Sequence, residues 1–269
     1  RLRPVLLWDE GDCVECGACA SVCPTGSRTV TAEGTLVYRR ETCTACGACA
    51  IACPTGGCTL SGKLMTVEEI LAVILRDKAF YGTHGGVTLS GGEPLLQAEV
   101  MELIRACREE GIHVAVETAG GVAPARMAEA AALCDLVLYD LKDTDPARHR
   151  AMTGADNTLI LENLATCDRG LADASAPHGG QGRLRLRCIM VATVNMNEAH
   201  YRGIAEVYHR LTRCEGVDLL AYHAYGGGKW KAMGCPDGGC PAYIPTAEAL
   251  KTAAEILTSL GVPVTIYRS

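Results

Sequence analysis

Beyond about Leu60 the pattern of apolar positions switches repeatedly between two periods. "TVEEILAVILRDKAF" sets its apolar residues at helical spacing, with Thr66 as N-cap and Glu69 three residues on. "GVTLSGG" then reads as a short buried strand ending in glycines. "LLQAEVMELIRACREEG" predicts a helix closed by Gly111, "HVAVET" a strand, "APARMAEAAALC" a helix and "DLVLYDLK" a strand. Helical pieces are expected between about Pro146 and Leu171, and "DASAPHGGQG" (173–182) as a mobile loop. "RLRLRCIMVA" predicts a strand, "EAHYRGIAEVYHRLTRC" a helix and "VDLLAYH" a strand. "AEALKTAAEILTSLG" predicts a last helix and "VPVTIY" a last strand.

Regular β-α alternation with continuously apolar strands specifies an α/β fold: a mostly parallel sheet with helices outside it. The polar residues collect at strand ends: Ser90 to Glu93, Glu117 and Thr118, Asp140 and Lys142, and His223. A doubly wound sheet would concentrate such residues at one switch point, whereas a barrel collects them from many strands. The recurrence favours a barrel or an open partial barrel. Residues 63–269 are assigned to this barrel, and residues 1–62, which lack the alternation, to a separate small domain.

Composition narrows the setting. Apolar residues make up 48% of the 269 residues but aromatics only 4%, so the core must be aliphatic. The formal charge of −6 argues against a nucleic-acid surface. No apolar run nears the ~20 residues of a membrane span, and nothing reads as a secretory signal. Sixteen cysteines without such a signal imply a reducing, cytoplasmic setting and metal ligation in place of disulfides.

Eight of those cysteines form two runs, "CVECGACASVCPTG" from Cys13 and "CTACGACAIACPTG" from Cys43. Each is C-x2-C-x2-C-x3-C-P, which resembles the ligand pattern of a bacterial two-cluster ferredoxin. Three closely spaced thiolates wrap one corner of a cubane, and the x3-C-P step carries the fourth cysteine to the other cluster. On this logic Cys13, Cys16, Cys19 and Cys53 hold one [4Fe–4S] cluster, and Cys43, Cys46, Cys49 and Cys23 the second. Two zinc sites are the alternative, but they would not require the doubled four-cysteine run. Cys58 stands outside both patterns. Cys107, Cys134, Cys167, Cys188 and Cys214 are expected to pack as small hydrophobes. Cys235 and Cys240, in "GCPDGGCP", form a C-x4-C pair without two further ligands.

With the cysteine pair before it, and "YDLKDTD", "TGADNTLILENL" and "LLAYHAYGGGKW" after it, "GGVTLSGGEPLLQ" carries a wider resemblance. Together they resemble the glycyl-radical-enzyme activating enzymes, which are radical S-adenosylmethionine (SAM) proteins related to pyruvate formate-lyase activase. The resemblance implies a partial (β/α)6 barrel with an inserted two-cluster ferredoxin-like domain. It implies that Ser90 and Gly91-Gly92-Glu93-Pro94 receive the methionine amino group of SAM, with Glu93 as acceptor. Asp140 and Lys142 match the family's D-x-K, which puts Lys142 near SAM and the glycyl peptide as the catalytic side chain. Glu117, Thr118 and Asp140 are the implied holders of a monovalent cation. His223 matches a histidine beside the nucleoside, although Ala221 stands where relatives commonly have Pro, and Arg185 is a further SAM contact. His113, His149, His178, His200 and His209 lack motif support and are expected to be solvated.

The implied reaction is reductive cleavage of SAM to a 5′-deoxyadenosyl radical, which takes hydrogen from a glycine of a partner glycyl radical enzyme. Flavodoxin or ferredoxin would supply the electron, in an anaerobic bacterial cytoplasm, with no nucleic-acid or membrane partner. The family's SAM-chelating cluster uses C-x3-C-x2-C. Cys19 and Cys23 begin such a spacing but Gly26 ends it, and Cys49 and Cys53 meet Gly56. The expectation is that the first barrel strand and the third cluster's cysteines precede Arg1, with "RLRPVLLW" as the connection, and that 1–269 alone cannot cleave SAM. Two other readings stand beside this one. The first is a non-enzymatic two-cluster electron carrier or scaffold with a degenerate barrel. The second is another radical SAM enzyme with auxiliary clusters.

Overall fold

The computed structural model describes residues 4–83, 85–235 and 240–267. The chain divides into two compact units, one of residues 1–65 and 224–240, the other of 66–223 and 241–269. The sequence boundary at 62/63 therefore falls three residues later. Segment 224–240, assigned with the barrel on sequence, groups with the first unit.

The first unit is built on a near-repeat. Strand β1 (Val5–Trp8) pairs antiparallel with β4 (Cys58–Ser61), and β2 (Arg28–Val30) pairs antiparallel with β3 (Leu36–Tyr38). One short helix follows each C-x2-C: α1 (Ala18–Ser21) and α2 (Ala48–Ala52). The core is small and sulfur-rich, with Leu6, Leu36, Cys19, Cys49 and Cys58 buried and Trp8 and Tyr38 packed against them.

The second unit follows the predicted alternation. After α3 (Val67–Arg76) and α4 (Lys78–Tyr81) come β5 (Gly86–Leu89), α5 (Val100–Glu109) and β6 (His113–Thr118). Helix α6 (Pro124–Leu133), strand β7 (Leu136–Asp140), α7 (Pro146–Thr153), α8 (Thr158–Ala172) and β8 (Arg183–Met190) continue it. Then come α9 (Glu198–His209) and β9 (Cys214–Ala221). Helix α10 (Gly227–Ala232) belongs to the first unit, and α11 (Ala247–Ser259) and β10 (Val264–Tyr267) complete the second. The starts have local causes. Thr66 and Glu69 form a reciprocal capping box, Asp145 accepts from Arg148 N at 2.8 Å, and Asn197 accepts from His200 N at 3.0 Å. Asp77 interrupts the predicted first helix, separating α3 from α4, and a 3-10 turn at Pro94–Leu96 delays α5 to Val100. The 173–182 loop is pinned, with Gly179 N donating to Ala176 O at 2.7 Å and His178 Nε2 to Ala131 O at 3.0 Å.

The six strands are all parallel and lie in strictly sequential order, β5 to β10. A doubly wound sheet would reverse order at a switch point. Sequential order with same-handed crossovers puts every helix on one face, the arrangement of an open partial barrel. Helix residues Ile104, Met127, Leu164, Ile204 and Leu257 share one core with Val116, Tyr139, Leu186 and Leu219 of the sheet. Alternation then turns Glu117, Asp140, Arg185, Arg187 and Asp218 to the opposite face.

Candidate functional site: cysteine cavities and a charged sheet face

Each cysteine run begins with the same backbone device. Glu15 (φ 51°) and Ala45 (φ 54°), at equivalent positions between the first two cysteines, are left-handed although neither is glycine. Such a residue costs about 1–2 kcal/mol, and here it turns amides inward, as where Ala45 N donates to Cys43 Sγ at 3.4 Å. The fourth cysteine of each run has its own support. The Thr25 hydroxyl lies 3.7 Å from Cys23 Sγ, and the Thr55 hydroxyl 3.7 Å from Cys53 Sγ.

The cysteines gather around two cavities. One is lined by Cys23, Cys43, Cys46 and Cys49, with Arg28 and Leu6. The other is lined by Cys13, Cys16, Cys19 and Cys53, with Cys58 and Leu36. Each fourth cysteine thus lies with the other run's triplet. Among the described residues no three His, Cys, Asp or Glu side chains converge as they would around a single ion. Four thiols spread around a volume, with amides and hydroxyls aimed at sulfur, fit a four-iron cluster better than a zinc ion. At Cys23 burial acts to raise the thiol, but hydrogen bonds from Arg28 N, Thr25 and Ser27 N outweigh it and bring it down to about 7. Cys53 behaves alike: burial opposes, and hydrogen bonds from Cys58 N, Thr55 and Gly56 N bring it to about 7. Both are thereby prepared as thiolate ligands. Burial pushes Cys58 up to about 12.

The second cluster of side chains lies at the C-terminal ends of β5 to β8. Gly91 (φ 130°) makes the turn out of β5 with a conformation that side chains rarely adopt. It delivers Glu93, whose carboxylate accepts three hydrogen bonds: Leu95 N at 3.2 Å, the Thr118 hydroxyl at 2.8 Å and Ala119 N at 3.0 Å. A carboxylate has about four acceptor positions, so one remains. On the sheet face, Ser90 Oγ donates to Glu117 Oε2 at 2.6 Å, and Glu117 Oε1 faces Arg187 Nε at 3.3 Å. Arg187 is the register partner of Asp140, which pairs with Lys142 Nζ at 2.9 Å. Side chains from four consecutive strands thus meet on one face.

Some expected residues fall elsewhere. Arg185 is on the same face but is committed to Asp218 of β9, with its Nε at 2.9 Å, and to Thr265 of β10. Arg187, two residues on, is the arginine that joins Glu117; "RLRLR" carried the signal, because alternation puts both arginines on one side. Of the residues expected around a monovalent cation, Thr118 turns away and donates to Glu93, and Glu117 already faces a guanidinium. His223 is exposed just after β9. The 236–239 loop between Cys235 and Cys240 lies outside the described residues, as do residues 1–3.

The histidines without motif support are not all solvated. His149 and His200 are buried, because the loop after β7 needs internal partners. His200 Nδ1 lies 3.0 Å from the Thr144 hydroxyl and 3.5 Å from Asp143, which Arg148 grips with two nitrogens. Asn157 donates to Asp143 O and Thr144 O, both at 3.0 Å. His149 Nδ1 meets Ala155 O at 2.7 Å. This network fixes the loop that carries Lys142. Cys107, Cys134, Cys167 and Cys188 are fully buried as expected, and Cys214 half-buried.

Two family models match this chain. The family described as the Radical SAM superfamily matches residues 42–170, and the 4Fe-4S dicluster domain matches residues 12–57. The choline trimethylamine-lyase activating enzyme of Oleidesulfovibrio alaskensis is 39% identical over 236 residues, covering 85% of this chain and 73% of that one. A 4-hydroxyphenylacetate decarboxylase activating enzyme of Clostridioides difficile is 35% identical over 176 residues, covering 65% of this chain and 53% of that one. Among solved structures, a domain of a pyruvate-formate lyase-activating enzyme from Bacteroides vulgatus superposes with TM-score 0.52 at 30% identity. It covers 68% of this chain and 99% of that one.

Proposed function

The chain belongs to the glycyl-radical-enzyme activating enzymes of the radical SAM superfamily, and on that premise we propose that it installs the radical on a glycyl radical enzyme. SAM, reductively cleaved, supplies a 5′-deoxyadenosyl radical that takes hydrogen from a backbone glycine of the partner, and iron–sulfur clusters supply the electron. The observation that carries the reading is a polar set on consecutive parallel strands and the turns after them: Ser90, Glu117 and Arg187 in one chain of contacts, Asp140 paired with Lys142, and Glu93 held by Thr118. A degenerate barrel around an electron carrier has no physical need for this polar set.

In this proposal Glu93 gives its remaining acceptor position to the methionine ammonium, while Leu95, Thr118 and Ala119 hold it at the end of β5. Ser90, Gly91 and Gly92 let the ligand approach the backbone. Asp140 restrains the ammonium of Lys142, which faces SAM and the incoming glycine loop. Arg187 supplies a fixed cation between Glu117 and Asp140, where a ligand carboxylate would be attracted. His223 lies beside the nucleoside. Cys13, Cys16, Cys19 and Cys53 hold one cluster, and Cys43, Cys46, Cys49 and Cys23 the other, a reading supported by the two cavities. The proposal includes a third, SAM-chelating cluster, for which none of the sixteen cysteines here has C-x3-C-x2-C spacing. Flavodoxin or ferredoxin is the proposed electron donor.

The test is anaerobic incubation of the full-length protein with SAM, a low-potential reductant and glycyl radical enzymes of several substrate classes. Electron paramagnetic resonance should show a glycyl radical doublet on one of them. No doublet on any partner, with SAM bound and the clusters loaded, would sink the assignment.

A further inference from the structure

Arg28 is among the most buried side chains in the chain, at 1% exposure. Its guanidinium lies between two rings, 4.0 Å from the Tyr38 centroid and 4.7 Å from that of Trp8. Nε, Nη1 and Nη2 are buried, and none has a hydrogen-bond partner among the described residues. No carboxylate pairs with it there. Arginine stays protonated in proteins, and an unpaired buried charge is among the most expensive things a fold can hold. Two aromatic faces offset part of that cost. They leave every in-plane N–H without an acceptor. Arg28 is also one of the residues that line the cavity formed by Cys23, Cys43, Cys46 and Cys49.

The repeat supplies a comparison inside the same molecule. The two runs are offset by thirty residues, Cys13 to Cys43 and Cys23 to Cys53. At that offset "CPTGSR" aligns with "CPTGGC", so Arg28 corresponds to Cys58. Cys58 lines the other cavity, with Cys13, Cys16, Cys19 and Cys53. The same structural position therefore puts an arginine in the lining of one cavity and a small thiol in the lining of the other, although the Arg28 charge also reaches Cys58. Cluster potentials respond to net charge and to hydrogen bonds at sulfur. A four-thiolate cluster is anionic and becomes more so on reduction, so a cation that can also donate to sulfur favours the reduced state.

We propose that Arg28 sets the order in which the two clusters accept electrons. Its guanidinium donates hydrogen bonds to the sulfurs of the cluster ligated by Cys23, Cys43, Cys46 and Cys49. That cluster then fills first, and the cluster beside Cys58 second. Arg28 is a positioning residue for an electron, not a group that touches substrate. The inference rests on the iron–sulfur reading of the eight cysteines. Each reduction adds a single electron from the external donor, and no bond is made or broken.

The test is a redox titration of the reconstituted protein, followed by electron paramagnetic resonance, with iron content measured on every sample. The unaltered protein should show two separate reduction waves for this unit. In R28M the more positive wave should move to lower potential, toward the other, while the more negative wave stays in place. R28K should give an intermediate shift, and C58A should leave the more positive wave unchanged. Full iron content with both waves unmoved in R28M would overturn the proposal. Absence of iron from the unaltered protein would instead overturn the cluster reading. If R28M loses iron, unaltered protein labelled with guanidino-15N arginine decides the matter. The cluster that fills first should then show nitrogen hyperfine coupling, and its absence from both reduced clusters would be equally fatal.

Discussion

Glu93 is held by Leu95, Thr118 and Ala119 before any ligand arrives, so its orientation is set by the fold. Glu93→Gln keeps the shape but loses the charge and one acceptor. A hydrogen bond to a charged group is worth about 1.5–3 kcal/mol, so SAM affinity should fall roughly 10- to 100-fold, read by equilibrium dialysis. An unchanged dissociation constant would remove Glu93 from the site. His200 titrates for a different reason. Burial holds it below the ordinary imidazole range, despite the nearby Asp143. An unfolded chain takes up this proton at about pH 6.5, and the folded chain refuses it, so stability falls as pH falls below that point. His200→Gln should flatten the decline in melting temperature between about pH 6.5 and 5.5; an identical slope would place the acid sensitivity elsewhere. The motif residues were legible at this scale because glycine, carboxylate and cysteine spacings are local. The burial of His200 and His149 was not, because it depends on the folding of the 141–157 loop.

Elements were legible where period and caps agreed. Thr66 and Glu69 predicted the start of α3, and both halves of the capping box are present, at 3.2 and 2.9 Å. Thr66→Ala should cost about 1 kcal/mol and shift the denaturant midpoint without changing the slope; a change below a few tenths would mean the cap is redundant. "HVAVET" became β6 with those bounds. The short pieces of the first unit gave no such signal. Strands of three or four residues are below the length at which alternation can be counted, and their pairing is fixed by the cysteine-rich core. Helix α10 went unread for a related reason: "GGGKWKA" has poor helix propensity and no apolar stripe.

At the scale of the whole molecule, cross-ligation makes the two cysteine runs interdependent. Cys23→Ala and Cys43→Ala should damage the same cluster, and Cys13→Ala and Cys53→Ala the other, each lowering the two-cluster iron content from about eight toward about four. Matching spectra for Cys13→Ala and Cys23→Ala would instead mean that each run ligates its own cluster. The sequence by itself determined what is local or periodic: the strand segments of the second unit, the ligand spacing and the glycine turn before Glu93. Only the tertiary structure decided who faces whom. Alternation offered Arg183, Arg185 and Arg187 equally, and register sets Asp140 and Asp218 on either side of Arg187, yet the folded side chains pair Arg185 with Asp218 and Arg187 with Glu117. Likewise "CPTGSRTV" places an arginine after a ligand motif without saying that it will be buried. Burial follows from Trp8 and Tyr38 closing on it from two other strands. The physical reason is common to both cases: a charge's partners are set by contacts between distant segments, and those form only when the strands have paired.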